Sequence, residues 1–435
     1  MKKSFLFAAI AAIVLAGCAK NETYVKNYDE EAVSFGAYSG RTLTKAGATD
    51  DMTQANLEKN GFGVFATYSK TDNFTVASDN FMFNQLVNKL GAAWEYTPVK
   101  YWPNPTDGSA ANDQKVSFFA YAPYANPAAS EEYGVMGFDI ESNHNIVKYG
   151  FKSNVPNVDL LWGYQSGSDP KAPNINLTRT TETIKFNFRH LLSKLGGSQD
   201  GDPATVGANG VVIVANPTEV ATNGFGTDTG TKITVSKIEI ASATVDKDGN
   251  TITYAADGSV QTGKLDLYTG NFSMDVLPVQ NIKFSQTIAA DPATGESELA
   301  DDLKEVENPA SFAAVKKGVT QTAVNVYQNE ENPLILIPGT TPTVDVTITY
   351  VVRTYDEKLG TKKYSEVHQT VFGKVEFPEI EAGKKYNLRI ILGLMDAKFE
   401  ATVDEWNVDT PTVDRNGDGI IDENDDPSVE LPKNL

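Results

Sequence analysis

Residues 344–350 read VDVTITY, and their apolar side chains fall on every second position. A period of two is typical of a β-strand that buries one face and exposes the other. Residues 233–240, ITVSKIEI, are interpreted in the same way, as one strand with alternating faces. Shorter runs of β-branched and aromatic residues recur at 63–68, 116–121 and 184–188. Together these segments predict a protein built from β-strands.

Clusters of Gly, Pro, Asn and Asp separate these runs at the spacing of β-sandwiches, and the sequence shows no βαβ alternation. We therefore predict an all-β fold of two antiparallel β-sandwich domains in tandem. A turn-rich stretch over 196–230 is either a long loop of the first domain or the linker between the two. We place the boundary near residue 245. The predicted parts are a signal peptide (1–17), an N-terminal segment (18–45), two sandwiches (46–245 and 246–410) and an acidic tail (411–435).

Composition narrows the possible partners. The chain has 435 residues, of which 40% are hydrophobic, and this is enough apolar material for packed cores. Its formal net charge is −20. Binding to nucleic acid depends on Lys and Arg that neutralise phosphates, so this charge argues against a nucleic-acid partner. A strongly acidic balance suits a soluble protein at the cell surface.

The first eighteen residues predict export. Lys2 and Lys3 precede an apolar run over residues 4–17, which is too short to span a bilayer as a helix. The run ends in Ala-Gly before Cys18, an arrangement that resembles the lipobox of bacterial lipoproteins. That resemblance implies a lipid on Cys18 (palmitate) and a precursor anchored in the outer membrane. The alternative is an ordinary signal peptide with a chance cysteine. Cys18 is the only cysteine, so its lipidation leaves no thiol for disulfides or catalysis.

Aromatic and apolar motifs follow the signal in a fixed order. They are AWEYTPVKYWP (93–103), VSFFAYAP (116–123), VDLL (158–161), FNFRHLLSKL (186–195), GKKYNL (383–388) and VDEW (403–406). In this order, behind a lipobox, they resemble a fimbrillin, the lipoprotein subunit of type V pili. The resemblance covers most of the exported chain and implies two transthyretin-like sandwiches.

The resemblance also implies how such a subunit assembles. In that family a surface protease specific for Arg or Lys removes an N-terminal strand, and the groove left behind accepts a strand from the next subunit. The implied partners are other fimbrial subunits, that protease and, for the precursor, the outer membrane. The implied final location is an extracellular fimbrium that supports cell adhesion.

A candidate for the removable strand lies at residues 32–38, which read AVSFGAY and place Val33, Phe35 and Ala37 on one face. We expect an edge strand, because removal of an edge strand exposes unpaired backbone groups that template strand addition. Arg41 and Lys45 follow in a polar segment and are the candidate cleavage sites. The alternative is an ordinary first strand followed by a surface loop.

The acidic tail carries a calcium-loop pattern over residues 414–425, DRNGDGIIDEND. Asp or Asn stands at positions 1, 3 and 5, and Gly419 stands at position 6, where the loop turns sharply. The predicted Ca²⁺ ligands are Asp414, Asn416, Asp418, the backbone carbonyl of Ile420, Asp422 and Asp425. Asp at position 12 is a shorter arm than the usual Glu and predicts weak affinity, suited to a structural clamp. The alternative is a solvated acidic tail.

Catalytic patterns are missing from the sequence, so we predict that the protein is not an enzyme. His144, His190 and His368 are far apart and share no metal-ligand spacing, and we interpret His190 as a structural residue. The alternative to a polymerising subunit is a monomeric, surface-anchored lipoprotein that binds a glycan or a host ligand. The role of stalk, tip or anchor stays open.

Overall fold

The computed structural model describes residues 31–39, 52, 54–75, 78–104, 113–126, 132–141, 144–152, 157–195, 211–245, 248–254, 256, 258–275, 283–287, 297–322, 324–326 and 334–405. The predicted signal peptide, Cys18, Arg41, Lys45 and the whole tail over 411–435 lie outside the described residues. Most described residues belong to strands, which confirms the predicted all-β fold.

The elements are numbered in chain order. The first are β1 (Phe35–Tyr38), α1 (Gln54–Asn60), β2 (Phe62–Lys70), β3 (Asp79–Leu90), β4 (Ala93–Glu95), β5 (Lys115–Ala122), β6 (Gly134–Glu141), β7 (His144–Lys152), β8 (Leu161–Gln165), β9 (Asn174–Thr178), β10 (Ile184–His190) and β11 (Ser193–Leu195). The next are β12 (Val211–Ala215), α2 (Pro217–Asn223), β13 (Thr231–Ser242), β14 (Val260–Asp266), β15 (Phe272–Met274), β16 (Lys283–Thr287) and β17 (Ser297–Glu298). The last are β18 (Val324–Asn325), β19 (Leu334–Leu336), β20 (Thr343–Tyr355), β21 (Tyr364–Glu376), β22 (Lys384–Leu392) and β23 (Ala397–Glu405), with a 3₁₀ turn at Phe312–Ala314.

The largest sheet closes into a ring. Its order is β2-β3-β4-β1-β10-β8-β5-β9, and β2 also pairs with β5. Seven strands therefore follow one another round the ring, with β9 attached outside it. The enclosed core is apolar, and Phe62, Phe118 and Phe186 are among its fully buried members.

A four-stranded sheet, β15-β14-β7-β6, covers one outer face of the ring. The core between them contains Phe119, Tyr121 and Trp162 from the ring and Tyr149 from the smaller sheet. Strands β14 and β15 lie after the boundary predicted at residue 245, whereas β6 and β7 lie before it. Residues on both sides of that boundary thus build one sheet.

The turn between β14 and β15 docks on Trp162. The indole Nε1 donates a hydrogen bond to the Leu267 carbonyl at 2.9 Å. Arg189 lies over the indole ring, 4.8 Å from its centroid, and donates to the Gly270 carbonyl at 3.0 Å. Gly270 has φ +70°, and a Cβ built there would meet the indole at 2.5 Å. Only glycine fits this contact without strain.

Two further sheets pack face to face. One has the order β18-β12-β22-β11-β19, with β23 on β22, and the other has the order β17-β16-β13-β20-β21. In β20 the alternate residues Val344, Val346, Ile348 and Tyr350 are all fully buried, which confirms the period of two. Most pairings are antiparallel, as predicted, while β1–β10, β11–β22, β12–β22 and β16–β17 are parallel.

Strand β13 departs from strict alternation. Its pairing with β20 shifts by one residue between Val235 and Lys237. This β-bulge puts Ile233 and Val235 on the buried face before it, and Ile238 and Ile240 on the same face after it. The bulge absorbs one extra residue, so both apolar pairs reach the same core.

Candidate functional site

The N-terminal strand is the part of the predicted machinery that the structure describes. Val33, Phe35 and Ala37 are 2%, 3% and 8% exposed, which confirms the single buried face expected from the sequence. Tyr38 and Ser39 are buried as well. The segment is thus buried at Val33 and Phe35 and continuously from Ala37 to Ser39, while Ala32 is exposed.

The segment formed by residues 31–34 and β1 has hydrogen-bonded neighbours on both sides. It runs parallel to β10, with Phe35 opposite Ile184 and Tyr38 opposite Asn187. On the other side the Val33 amide donates to the Lys100 carbonyl at 2.9 Å, and the Trp102 amide donates to the Glu31 carbonyl at 2.9 Å. The expectation of an edge strand was therefore wrong, because β1 is a member of the closed ring.

Phe35 is the apolar anchor of this strand. Its ring centroid lies 5.3 Å from that of Tyr96, 5.7 Å from that of Phe118 and 6.1 Å from that of Phe186. Burial of a phenyl side chain stabilises by roughly 1.5–3 kcal/mol relative to exposure in water. Phe35 therefore contributes a large share of the free energy that holds the strand in place.

Tyr96 holds the strand through its hydroxyl group. That group donates a hydrogen bond to the Val33 carbonyl at 2.8 Å and accepts one from the Lys100 amide at 3.2 Å. Burial raises the pKa of the Tyr96 phenol, and the hydrogen bond from the Lys100 backbone partly offsets this, so the group stays protonated at neutral pH. The sequence motif at 93–103 contains Tyr96, but nothing in it reveals this contact, which depends on long-range pairing.

Tyr96→Phe is expected to weaken the seating of the strand while leaving its apolar packing in place. The substitution removes both hydrogen bonds of the hydroxyl, and each is worth about 0.5–1.5 kcal/mol. The midpoint of urea unfolding should therefore fall by an amount that corresponds to this free energy. Tyr101→Phe is the matched control, because Tyr101 lies in the same segment with an exposed side chain. An equal effect of the two variants would contradict the role of the Tyr96 hydroxyl.

Side chains also anchor the two ends of the segment that contains the candidate cleavage sites. At one end the Ser39 amide donates to Gln54 Oε1 at 2.9 Å. At the other end the Met52 amide donates to Asp159 Oδ2 at 3.1 Å, and that carboxylate lies 2.6 Å from His190 Nδ1. His190 is therefore a buried structural residue, as interpreted from the sequence. Residues 40–51 join these two anchored points.

A cleft of about 360 Å³ lies beside β1, where the ring is most weakly closed. Among the described residues, the only pair that joins β1 to β4 is Phe35 with Trp94. From Gly36 to Tyr38 the strand is paired with β10, and the cleft is lined by β1 together with residues of β4 and β10. The ring is therefore closed at this seam by fewer backbone pairs than at its other described junctions.

Several predicted features stay untested by the structure. The ligands of the calcium loop, the lipidation site and the two candidate cleavage residues all lie outside the described residues. Within the described part of the chain, no group of three or more His, Cys, Asp or Glu side chains could hold a metal ion. The helices described there are too short and too polar to cross a bilayer.

Comparison with known proteins identifies the family. A curated relative, the fimbrium subunit Fim1C of Phocaeicola vulgatus, is 22% identical over 232 residues, which are 49% of this chain and 55% of that protein. The chain thus spans about half the length of the curated relative that it matches. A fimbrial protein from Bacteroides vulgatus shares the fold, with a TM-score of 0.52 at 17% identity over 86% of this chain and 99% of that one. The profile of the family described as Fimbrillin-like matches residues 44–406, and the chain therefore belongs to that family.

Proposed function

We propose that this protein is a structural subunit of a cell-surface fimbria that supports adhesion. It is made as a precursor with a lipid on Cys18 and anchored in the outer membrane. A surface protease cuts after Arg41 or Lys45, the N-terminal strand leaves, and a strand from another subunit takes its place. Family membership supports the role of fimbrial subunit. The place of β1 between β4 and β10 in the ring, which we call its seat, supports the exchange.

The observation that carries this proposal is the position of β1 inside the ring. A strand that leaves this position exposes the hydrogen-bonding edge of β10 and the slot that Phe35 fills. Unpaired backbone groups and an open apolar slot together are the features that strand addition uses. An incoming strand with apolar residues at alternate positions can satisfy both at once.

The same geometry explains why the uncut precursor does not polymerise early. Its own strand occupies the seat and is covalently joined to the rest of the chain, so it returns to the seat whenever it separates. A cut within residues 40–51 makes the strand a separate peptide, which is lost by dilution once it dissociates. Proteolysis then acts as the trigger for assembly.

The test is the N-terminal sequence and mass of the protein sheared from cells. A start at Thr42 or Ala46, together with SDS-resistant ladders, is the expected result. In the double variant Arg41→Gln, Lys45→Gln we expect the N-terminus to stay uncut and the ladders to disappear. The matched control is Lys358→Gln, Lys362→Gln, which alters two exposed basic residues elsewhere. A lipidated start at Cys18 in a monomer would instead support the anchored, ligand-binding alternative.

We also propose that the tail binds one Ca²⁺ through residues 414–425. In the double variant Asp414→Ala, Asp418→Ala we expect calorimetric titration to show loss of this binding, because two carboxylate ligands are removed. Wild-type affinity in the range of extracellular modules, about 10⁻⁴–10⁻³ M, is expected. The control variant Asp72→Ala, Glu357→Ala removes the same charge from exposed turns. Unchanged titration in the loop variant would contradict the site.

A further inference from the structure

Strand β21 forms one edge of the sheet β17-β16-β13-β20-β21, and it is the longest edge strand that the structure describes. It has 13 residues, whereas β17 at the opposite edge has 2 and the edge strand β23 has 9. All 13 residues pair with β20, and no described strand pairs with the other side of β21. One side of its backbone is therefore open along the whole strand.

Hydrogen bonds at the two ends of the β20–β21 hairpin show which backbone groups face this open side. The Asp356 amide donates to the Lys363 carbonyl at 3.0 Å, and the Phe377 amide donates to the Pro342 carbonyl at 2.9 Å. The backbones of Lys363 and Phe377 thus face the β20 side. Backbone groups alternate between the two sides of a strand, and this pairing has no register shift. The amides and carbonyls of the even-numbered residues of β21 therefore face the open side.

Strand β21 lacks the usual protection of a sheet edge, which is a Pro, a bulge or a charged side chain that guards the edge. It contains no Pro, and its register with β20 is continuous. Its only Lys, Lys374, turns inward, with Nζ 2.9 Å from Asp345 Oδ1 and 2.7 Å from the Val245 carbonyl. Glu366 also turns inward, and its Oε2 accepts a hydrogen bond from Arg353 at 2.5 Å. These two charged side chains therefore lie over their own sheet and leave the edge open.

Exposed apolar side chains flank the open side. Phe372 is 74% exposed on the outer face of the sheet, and Val367 is 46% exposed on the face that carries the core. Met395, in the turn between β22 and β23, is 72% exposed, and its Sδ lies 3.6 Å from Gln369 Nε2. An unprotected edge with apolar side chains on both faces is a template for pairing with another strand.

From these features we infer that β21 pairs with β21 of a second copy of this chain, antiparallel and centred on Thr370. Antiparallel bonding sets residues whose backbone groups face the edge opposite one another, so even-numbered residues must oppose even-numbered residues. A pair centred on Thr370 meets this condition and uses all 13 residues of both strands. It joins two five-stranded sheets into one continuous sheet.

Charge complementarity favours a second copy in this register. With Thr370 opposite itself, Glu366 lies opposite Lys374 of the second copy, and the two-fold symmetry makes this contact twice. Opposite charges in directly opposed positions stabilise a sheet, and like charges destabilise it. A pair centred on Val371 places Glu366 opposite Glu376 instead. A pair centred one residue before Thr370 leaves Glu366 without a charged residue opposite it.

This contact is separate from the exchange of β1. A two-fold contact uses the same patch on both copies and closes after one pair, so it does not extend a filament. Strand β21 belongs to one of the two further sheets that pack face to face, whereas β1 belongs to the ring. In fimbriae assembled by exchange, pairing through β21 would join two filaments side by side.

The test is sedimentation equilibrium of the uncut exported chain with Cys18→Ser, in about 0.15 M salt to screen its net charge. A monomer–dimer equilibrium with Kd on the order of 0.1 mM or lower is expected. Thr370→Pro removes the central amide on the open side, where an edge strand tolerates Pro, and should weaken dimerisation by about tenfold or more. Thr370→Val keeps the amide and should change Kd by less than about threefold.

Disulfide cross-linking reads the register directly. The chain with Cys18→Ser has no cysteine, so a thiol introduced by Thr370→Cys is the only one. In the proposed pair it lies opposite its own copy with Cα atoms about 5.5 Å apart, a separation that suits a disulfide. Ser365→Cys is the matched control, because Ser365 opposes Val375 and the two Ser365 positions are roughly 33 Å apart. With copper phenanthroline in air as oxidant, only Thr370→Cys should give a cross-linked dimer.

A second variant keeps the test valid if Thr370→Pro unfolds. Lys374→Glu sets two carboxylates against each other at both contacts and should weaken dimerisation by about tenfold. A monomer at all concentrations up to about 1 mM would overturn the inference. Wild-type Kd values in both Thr370→Pro and Lys374→Glu would do so as well, and so would equal cross-linking at Ser365 and Thr370. Species larger than a dimer would contradict the closed two-fold pair.

Discussion

A chain that begins at Ala46 is expected to unfold at a temperature lower by on the order of 10 °C or more, and added peptide 31–39 is expected to restore the loss. The truncated chain lacks the buried side chains of Val33, Phe35 and Ala37 and the ladder to β10. Burial of the two larger side chains alone is worth roughly 1.5–3 kcal/mol each. The measurement is thermal unfolding by calorimetry at increasing peptide concentration.

The peptide provides its own controls. Phe35→Ala removes the ring that contacts Tyr96, Phe118 and Phe186 and should weaken peptide binding by about 3–5 kcal/mol, more than a hundredfold. Ser34→Ala changes the neighbouring residue, whose hydroxyl makes an exposed contact with Thr183, and should bind within a few-fold of the wild type. Saturable rescue by the wild-type peptide and not by Phe35→Ala is the expected pattern. Rescue by both peptides, or by neither, would mean that the seat does not select an incoming strand.

Gly270→Ala is expected to destabilise the first core by about 3 kcal/mol. Alanine at this position must adopt the left-handed backbone conformation of Gly270, which costs a residue with a Cβ roughly 1–2 kcal/mol. It also overlaps the Trp162 indole, so the hairpin of β14 and β15 must move away from the ring. Overpacking of this kind typically costs about 1–3 kcal/mol.

Gly167→Ala separates the two causes. Gly167 has φ +75°, and a Cβ built there meets nothing within 4 Å. The free energy of unfolding lost in Gly167→Ala therefore measures the backbone cost alone. The additional loss in Gly270→Ala measures the collision with Trp162. Chemical denaturation followed by tryptophan fluorescence measures both. Equal losses in the two variants would show that the hairpin adjusts to the methyl group without disturbing its contact with the ring.

Local patterns in the sequence predict the strands and their buried faces well. The face of Val33, Phe35 and Ala37 and the alternation in β20 follow from a period of two, because neighbouring side chains in a strand point to opposite sides. The bulge in β13 is less visible, since an inserted residue resembles ordinary polar sequence until the partner strand fixes the register.

Long-range pairing is the part that the sequence does not reveal. Nothing in residues 32–38 indicates that β1 lies inside a ring, because that position depends on β10, about 150 residues later. Two other features also depend on long-range pairing. Strand β14 pairs with β7, so that β14 and β15 join the sheet that covers the ring, and the Tyr96 hydroxyl contacts the Val33 carbonyl. The lipid anchor, the cleavage residues and the calcium loop stay predictions, since they lie outside the described residues.

The parallel pairing of β1 with β10 has a consequence for the symmetry of any filament built by exchange. A replacement strand that forms the same ladder enters with one orientation, because a reversed strand presents its amides and carbonyls at different spacings. Every joint then repeats a single head-to-tail operation, and such heterologous contacts generate open filaments rather than closed pairs. In such a filament the two tips would be chemically different, one with an empty seat and one with an unused strand, so growth would be directional.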